Sequence, residues 1–179
     1  MPSHMGPRLH VTQIRQFLAR YDYPQEDDDL LARRSRVRKE KKMRLEDLCA
    51  VCDWKAPRAA GHARRNERRQ VEEITAAALR ARSERVRIEA LQVLHGVSYP
   101  TASVILHFFH RDVYPILDFR ALWSMGFDQP PQYTFEFWWE YVEATRNLLA
   151  RARRTIPSLS MRELDRALWQ YSKERQGRS

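Results

Sequence analysis

The 179-residue chain has little cysteine or glycine, two of the first and five of the second. Cys49 and Cys52 alone cannot build the disulfide framework that staples many small secreted domains. A zinc centre needs four ligands, and His62, His107 and His110 do not complete a recognised spacing with the two thiols. One helical turn apart, the cysteines read as two buried thiols, and neither a metal nor a cofactor is expected. His107 and His110 read as helix-face residues. The scarcity of glycine among so many Ala, Leu, Arg and Glu residues, with no alternating pattern long enough for a sheet, predicts an all-α fold. No apolar run approaches the ~20 residues of a membrane span, and no charged-then-apolar start marks secretion. The expectation is a cytoplasmic protein with no membrane partner, and no internal repeat is visible.

Charge is what the chain has in excess. Thirty-two Lys and Arg against 23 Asp and Glu give a formal charge of +9 and a sequence pI near 10.0, which implies attraction to polyanions. The alternative is a solvated basic surface with no dedicated ligand. The length suits one well-buried domain and is short for a second. Ser3-His4-Met5 reads as a cloning remnant, so residues 1–7 are set aside and residues 8–179 form the expected single, monomeric domain.

Helical periodicity places the elements. Thr12 is the expected N-cap of a first helix with Ile14, Phe17 and Leu18 on one face, stopping before Pro24. Asp27-Asp28-Asp29 favours the N-terminus of a second helix that continues into RRSRVRKEKKMR. A third carries Leu45, Leu48, Cys49 and Cys52 and reaches Trp54-Lys55 before Pro57. A fourth, about Arg69 to Arg82, is expected to bury Val71, Ile74 and Ala78. Beyond Pro130-Pro131, FEFWWEYVEATRNLLARARR and SMRELDRALWQYSKER form two more, with Ser160 and Glu163 as a capping box. Phe135, Phe137, Trp138, Trp139 and Tyr141 follow helical spacing and read mostly as core, as do Trp169 and Tyr171.

The most informative stretch is Leu94 to Gly126, LHGVSYPTASVILHFFHRDVYPILDFRALWSMG. It reads as a helix end, a turn at Gly96, a new helix near Thr101, an extended YPIL approach, and Asp118 leading into another helix. A tight turn between helices presents backbone N–H groups at the second helix's N-terminus, where the dipole favours an anion such as a DNA phosphate. Gly96 tolerates the positive φ that such a turn needs. With Thr101-Ala102, the apolar Val104-Ile105-Leu106 run and the PILD segment, the pattern resembles the helix-hairpin-helix DNA glycosylase superfamily. PILD is most similar to the adenine glycosylase branch. The resemblance covers about residues 45–126, with the hairpin at about 88–108 and the catalytic segment at 114–126.

That resemblance implies a single-domain helical bundle that binds duplex DNA, extrudes one nucleotide and hydrolyses its N-glycosidic bond. Asp118 is the implied catalytic residue, stabilising positive charge on the sugar and positioning water. Its plainer role is to cap the helix beginning at Phe119. Gly96, Val97, Ser98 and Thr101, with Arg58 and Arg120, are the expected DNA contacts. The base pocket is expected from Trp54, Lys55, Asn66 and Tyr99, with Trp54 stacking on the base and Asn66 reading it through its amide. A core tryptophan followed by a solvated basic turn is the alternative for Trp54-Lys55-Ala56-Pro57-Arg58. Three departures stand out. Ser98 replaces the family's second glycine, Pro100 replaces the Schiff-base lysine of bifunctional members, and the four closing cysteines of an iron–sulfur cluster are missing. The expected route is therefore monofunctional. The competing readings are a DNA-binding module without chemistry, and a lyase acting through Lys55.

Overall fold

The computed structural model describes residues 5–23 and 26–176, so Ser3-His4 and Pro24 lie outside the described residues. Ten α-helices follow in chain order: α1 (Ile14–Ala19), α2 (Asp28–Glu40), α3 (Leu45–Lys55), α4 (Ala60–Ala63), α5 (Arg68–Arg80), α6 (Glu84–Glu89), α7 (Tyr99–Phe109), α8 (Phe119–Ser124), α9 (Phe135–Ala152) and α10 (Met161–Arg175). No strand occurs among the described residues, so the fold is all-α. None of the described helices is long and apolar enough to cross a membrane. Tertiary contacts gather in two compact units, Met1–Pro24 with Tyr114–Ser179, and Gln25–Val113. The sequence reading does not contain this subdivision.

Most helix boundaries follow from local chemistry, and two differ from expectation. The first helical turn starts earlier than a Thr12 cap would allow. His10 Nδ1 accepts from the Thr12 N–H while Gln13 Oε1 accepts from the His10 N–H at 3.2 Å, so a single 3-10 turn, Val11–Gln13, precedes α1. Ile14 and Phe17 are buried as the periodicity predicts, with Leu18 only half-buried. In α5 the buried face holds Val71, Thr75 and Ala78, leaving Ile74 half-buried. Thr75 can sit in the core because its hydroxyl donates to Val71 O at 2.7 Å and accepts the Met43 N–H at 2.9 Å. A buried hydroxyl is tolerated only when so partnered. The Ser160–Glu163 capping box is present as predicted, and Asp28 and Asp29 fall in the first turn of α2.

In the first unit, α10 packs along α1 and α8. Phe137, Trp138 and Tyr141 of α9 are buried, whereas Phe135 and Trp139 are only half so. Tyr114 stacks on Trp138 at 5.9 Å, and Phe127 meets Tyr141 edge-on at 5.8 Å. The Tyr141 hydroxyl donates to Ile116 O at 2.9 Å, tying α9 to the extended segment before Asp118. Ser124 Oγ donates to Leu168 O at 2.6 Å and fastens α8 to α10.

The second unit is organised around α7, in which every residue from Thr101 to Phe109 is buried. A helix apolar on all sides has to be enclosed, and α2, α3 and α6 pack against it. Its C-terminal carbonyls are taken by α2: Arg34 Nε donates to Phe108 O at 2.8 Å and Arg38 Nη2 to His110 O at 2.7 Å. Asp47, fully buried on α3, joins α3 to α2. Its carboxylate accepts from Arg33 Nη1 at 3.1 Å, from Arg36 Nη2 at 2.5 and 2.6 Å, and from the Arg44 N–H at 2.7 Å. Removing one partner of a buried ion pair leaves the other uncompensated. Asp47→Asn is therefore expected to lower unfolding stability by about 3 kcal/mol, the low end of the usual range because both guanidinium groups reach solvent. Chemical denaturation checks this, and a loss below 1 kcal/mol would show that the clasp is ornamental.

Candidate functional site

The hairpin is built by α6, a 3-10 turn over Ala90–Val93, the loop from Leu94 to Ser98, and α7. Gly96 has φ +83°, the left-handed region that favours glycine. Space demands the same residue, since a Cβ here would lie 3.0 Å from Ala63 N and 3.4 Å from His62 Cβ. Ser98 is the extended N-cap of α7 and uses no side-chain cap bond, while Pro100 occupies the first turn, where its missing N–H is not needed by the helix. The helix thus opens at Tyr99, two residues before the expected Thr101. The backbone N–H groups of Ser98, Tyr99 and Thr101 meet no acceptor among the described residues.

Three side chains lock this turn in place. Asn66, buried, donates from Nδ2 to Ala63 O at 2.8 Å and to His95 O at 2.9 Å, while its Oδ1 accepts the His95 N–H at 2.8 Å. The Cys52 thiol donates to Gly96 O at 3.8 Å, and burial pushes its pKa up to about 12. The Tyr99 hydroxyl donates to Glu89 Oε1 at 3.1 Å across the hairpin's two arms, with its pKa likewise raised to about 12, burial first. Asn66 and Tyr99, expected in a base pocket, are instead braces of the hairpin. The reason is their burial and their engaged polar atoms.

Basic side chains border the turn. His62 lies against Gly96, and His62, Arg64 and Arg65, with Arg58 earlier in the chain and His95 next to the glycine, are exposed. Arg64 pairs with Asp53 at 3.2 Å, but no carboxylate among the described residues pairs with Arg58 or Arg65.

Trp54 stands elsewhere in the same unit. Half-buried at the end of α3, it meets Phe108 edge-on at 5.6 Å and lines a groove of about 580 Å³ with Asp29, Arg33, Cys49, Asp53 and Arg68. Lys55, Asn66 and Tyr99 do not line that groove, so the four expected pocket residues do not converge there. The groove's charges are largely matched: Arg33 with Asp29 at 3.0 Å, Arg68 with Glu46, and Asp53 with Arg64. Cys49 is half-buried, not buried as its spacing suggests. No cluster of His, Cys, Asp and Glu able to hold a metal occurs among the described residues.

Asp118 belongs to the first unit. It follows the buried, extended segment Tyr114–Leu117, is itself half-buried, and caps α8 by accepting the Arg120 N–H at Oδ1, 3.0 Å. Its charge is felt by two phenols. Tyr133 is raised by burial and then by Asp118, and Tyr141 is pushed well up by burial and then by Asp165 and Asp118. The Arg120 guanidinium lies over the exposed Phe119 ring at 5.1 Å and the Trp169 ring at 5.3 Å. Neither tyrosine was singled out with Asp118 from sequence, because both lie 15 or more residues away on and before α9 with no motif linking them. Comparison with protein-family models, with curated proteins and with solved structures finds no match for the chain.

If Asn66 is a brace, Asn66→Ala removes its side-chain bonds to the Ala63 and His95 backbone and should lower stability by about 1–3 kcal/mol, measured by thermal unfolding. Unchanged stability would return Asn66 to the base-reading role. Cys52, about four units above pH 8, holds roughly one thiolate in 10⁴ there. Native-state alkylation at pH 8 should therefore spare Cys52 while denatured protein is labelled at both cysteines, and fast native labelling of Cys52 would contradict its burial.

Proposed function

We propose that the chain binds duplex DNA through its hairpin and hydrolyses an N-glycosidic bond, with Asp118 as the catalytic carboxylate. The observation that carries the reading is the turn at Gly96. Left-handed backbone there supports a close approach between the hairpin and the Ala60–Ala63 segment, and the exposed Ser98 at the start of α7 has an N–H with no acceptor among the described residues, with the basic Arg58, His62 and Arg65 exposed in the segment that meets the turn. Basic side chains then hold the flanking phosphates, and the hairpin N–H groups fix register without reading sequence.

Asp118 is suited to the chemistry by its place at a helix start, half-open to solvent and backed by a buried extended segment. The bond from the Arg120 N–H fixes one oxygen and so orients the carboxylate. In the proposed reaction the base departs with the glycosidic bond's electron pair, the sugar becomes cationic, and the carboxylate stabilises that charge and accepts the proton of the attacking water. Pro100 has no amine, so no Schiff base forms at the hairpin. Lys55 would have to supply any lyase step. A second reading has its own support: the cap bond from Arg120 gives Asp118 a structural task that a non-catalytic DNA-binding module would keep.

Duplex affinity should fall steeply with salt through counterion release. Fluorescence anisotropy over a salt titration tests this, and a flat response would remove the nucleic-acid reading. Across a panel of damaged, mismatched and modified bases, Asp118→Asn should bind like wild type and lose base release by a factor on the order of 10² or more. Equal release by wild type and variant would leave only the binding module. Wild-type product sites should break only after alkali or heat, and a borohydride-trapped adduct that disappears in Lys55→Ala would assign a lyase to Lys55.

A further inference from the structure

Where α2, α5 and α7 end, the residues just beyond them enclose a cavity of about 290 Å³ in the second unit. Six cations line it, Arg38, Lys41, Arg80, Arg82, Arg87 and Arg111, and no carboxylate does. Part of this is helix chemistry. Each helix C-terminus carries about half a unit of negative charge, which cations stabilise. Arg38 Nη2 donates to His110 O at 2.7 Å, Arg80 Nη2 to Glu40 O at 3.4 Å and Arg87 Nη2 to Ala81 O at 2.6 Å, so all three ends are met directly.

The charges do not balance on that account. Three helix ends supply roughly 1.5 units of negative partial charge. Against them stand Arg38, Lys41, Arg80, Arg82 and Arg111, none of which pairs with a carboxylate among the described residues. The carboxylates nearest in sequence are engaged elsewhere: Glu84 and Asp112 with Arg87 at 3.0 and 3.3 Å, Glu40 with Arg36 and Arg44 at 3.3 Å each. Arg87 is thereby neutralised within the fold, and the other five are not. The crowding is registered at Arg38, whose pKa is lowered by burial and then by the charges of Arg34 and Arg111.

We propose that this cavity binds a compact anion of two or three linked phosphates. Its concavity separates it from a duplex-binding face, because a DNA backbone presents single charges spread along a convex surface, whereas an oligophosphate carries several charges within a few ångströms. Guanidinium forks engage phosphate oxygens in pairs, and Lys41 adds a point charge. The site is also apart from the hairpin. The eleven residues of α7 set the turn and the cavity at opposite ends of one helix, about 16 Å apart at ~1.5 Å per residue.

Calorimetric titration of the full chain with sodium tripolyphosphate, inorganic phosphate and ATP, at constant ionic strength, tests the proposal. Tripolyphosphate should bind once per chain, at least tenfold tighter than inorganic phosphate. The double variant Lys41→Gln, Arg111→Gln, both exposed and so able to fold, should weaken it at least tenfold while leaving the unfolding profile intact. Equal affinity for ATP would make a free oligophosphate chain the recognised group, and affinity more than tenfold higher would make it a nucleotide's. Tripolyphosphate binding no tighter than phosphate, or unchanged in the double variant, would overturn the site. Failure to bind tripolyphosphate combined with a loss of duplex affinity in the variant would overturn it too, and assign these cations to a DNA-binding face.

Discussion

The second unit depends on one close backbone approach, that of Gly96 to Ala63. Residue 96 suits it by having no side chain and adopting φ +83°, and the Asn66 amide bonds to both sides at once. Left-handed backbone and a buried side-chain amide are each unfavourable alone. Here each makes the other tolerable, because the amide satisfies the carbonyls and N–H that the tight turn leaves without helical partners. The Cys52 thiol on Gly96 O and the Tyr99 hydroxyl on Glu89 complete the bracing. The hairpin is thus held by bonds within the fold itself, and backbone donors so held would lose less on ordering if they bind an anion.

Much of this fold could be read from the residues. Scarce glycine, regular apolar spacing, Pro57 and the Ser160–Glu163 box marked helices that the structure contains, and Gly96 marked a left-handed turn. What escaped reading is tertiary. Nothing local distinguishes Asn66 as a hydrogen-bond clip from Asn66 as an exposed amide, since the difference lies in whether His95 comes within 3 Å. Thr75 replaced Ile74 on the buried face of α5 for a similar reason: a hydroxyl with two partners competes with an apolar side chain only when Met43 offers its N–H from another segment. His10 displaced Thr12 as a cap through a ring nitrogen, an acceptor that cap statistics rank low.

Charge was legible in amount but not in arrangement. A surplus of nine positive charges spread evenly would merely keep the chain soluble and attracted to polyanions. The structure divides it. Around Asp47, Glu46, Glu72 and Asp53 the cations are matched, in several cases by partners 11 to 30 residues away. Pairs of that span cannot be inferred from spacing along a helix. At the ends of α2, α5 and α7 five cations, Arg38, Lys41, Arg80, Arg82 and Arg111, share one cavity with no carboxylate lining it, so part of the surplus is concentrated there. The run RRSRVRKEKKMR contributes to both populations, Arg33 and Arg36 facing Asp47 while Arg38 and Lys41 face the cavity. One helix thereby serves as a structural clasp on one side and a cationic wall on another.

Asp118 poses the sharper question, because capping and catalysis ask different things of one carboxylate. A cap needs one oxygen fixed on a helix N–H, and that bond is present. Catalysis needs a carboxylate that does not swing, and the same bond holds its orientation. The cap is therefore compatible with the proposed catalytic role. Replacing Asp118 by Asn retains an acceptor for the Arg120 N–H, hence the cap, while removing the charge, so that substitution divides the roles where Ala would abolish both. The phenols of Tyr133 and Tyr141 feel the same carboxylate: burial first, and then neighbouring anions with Asp118 among them, push both pKa values up, so both stay neutral.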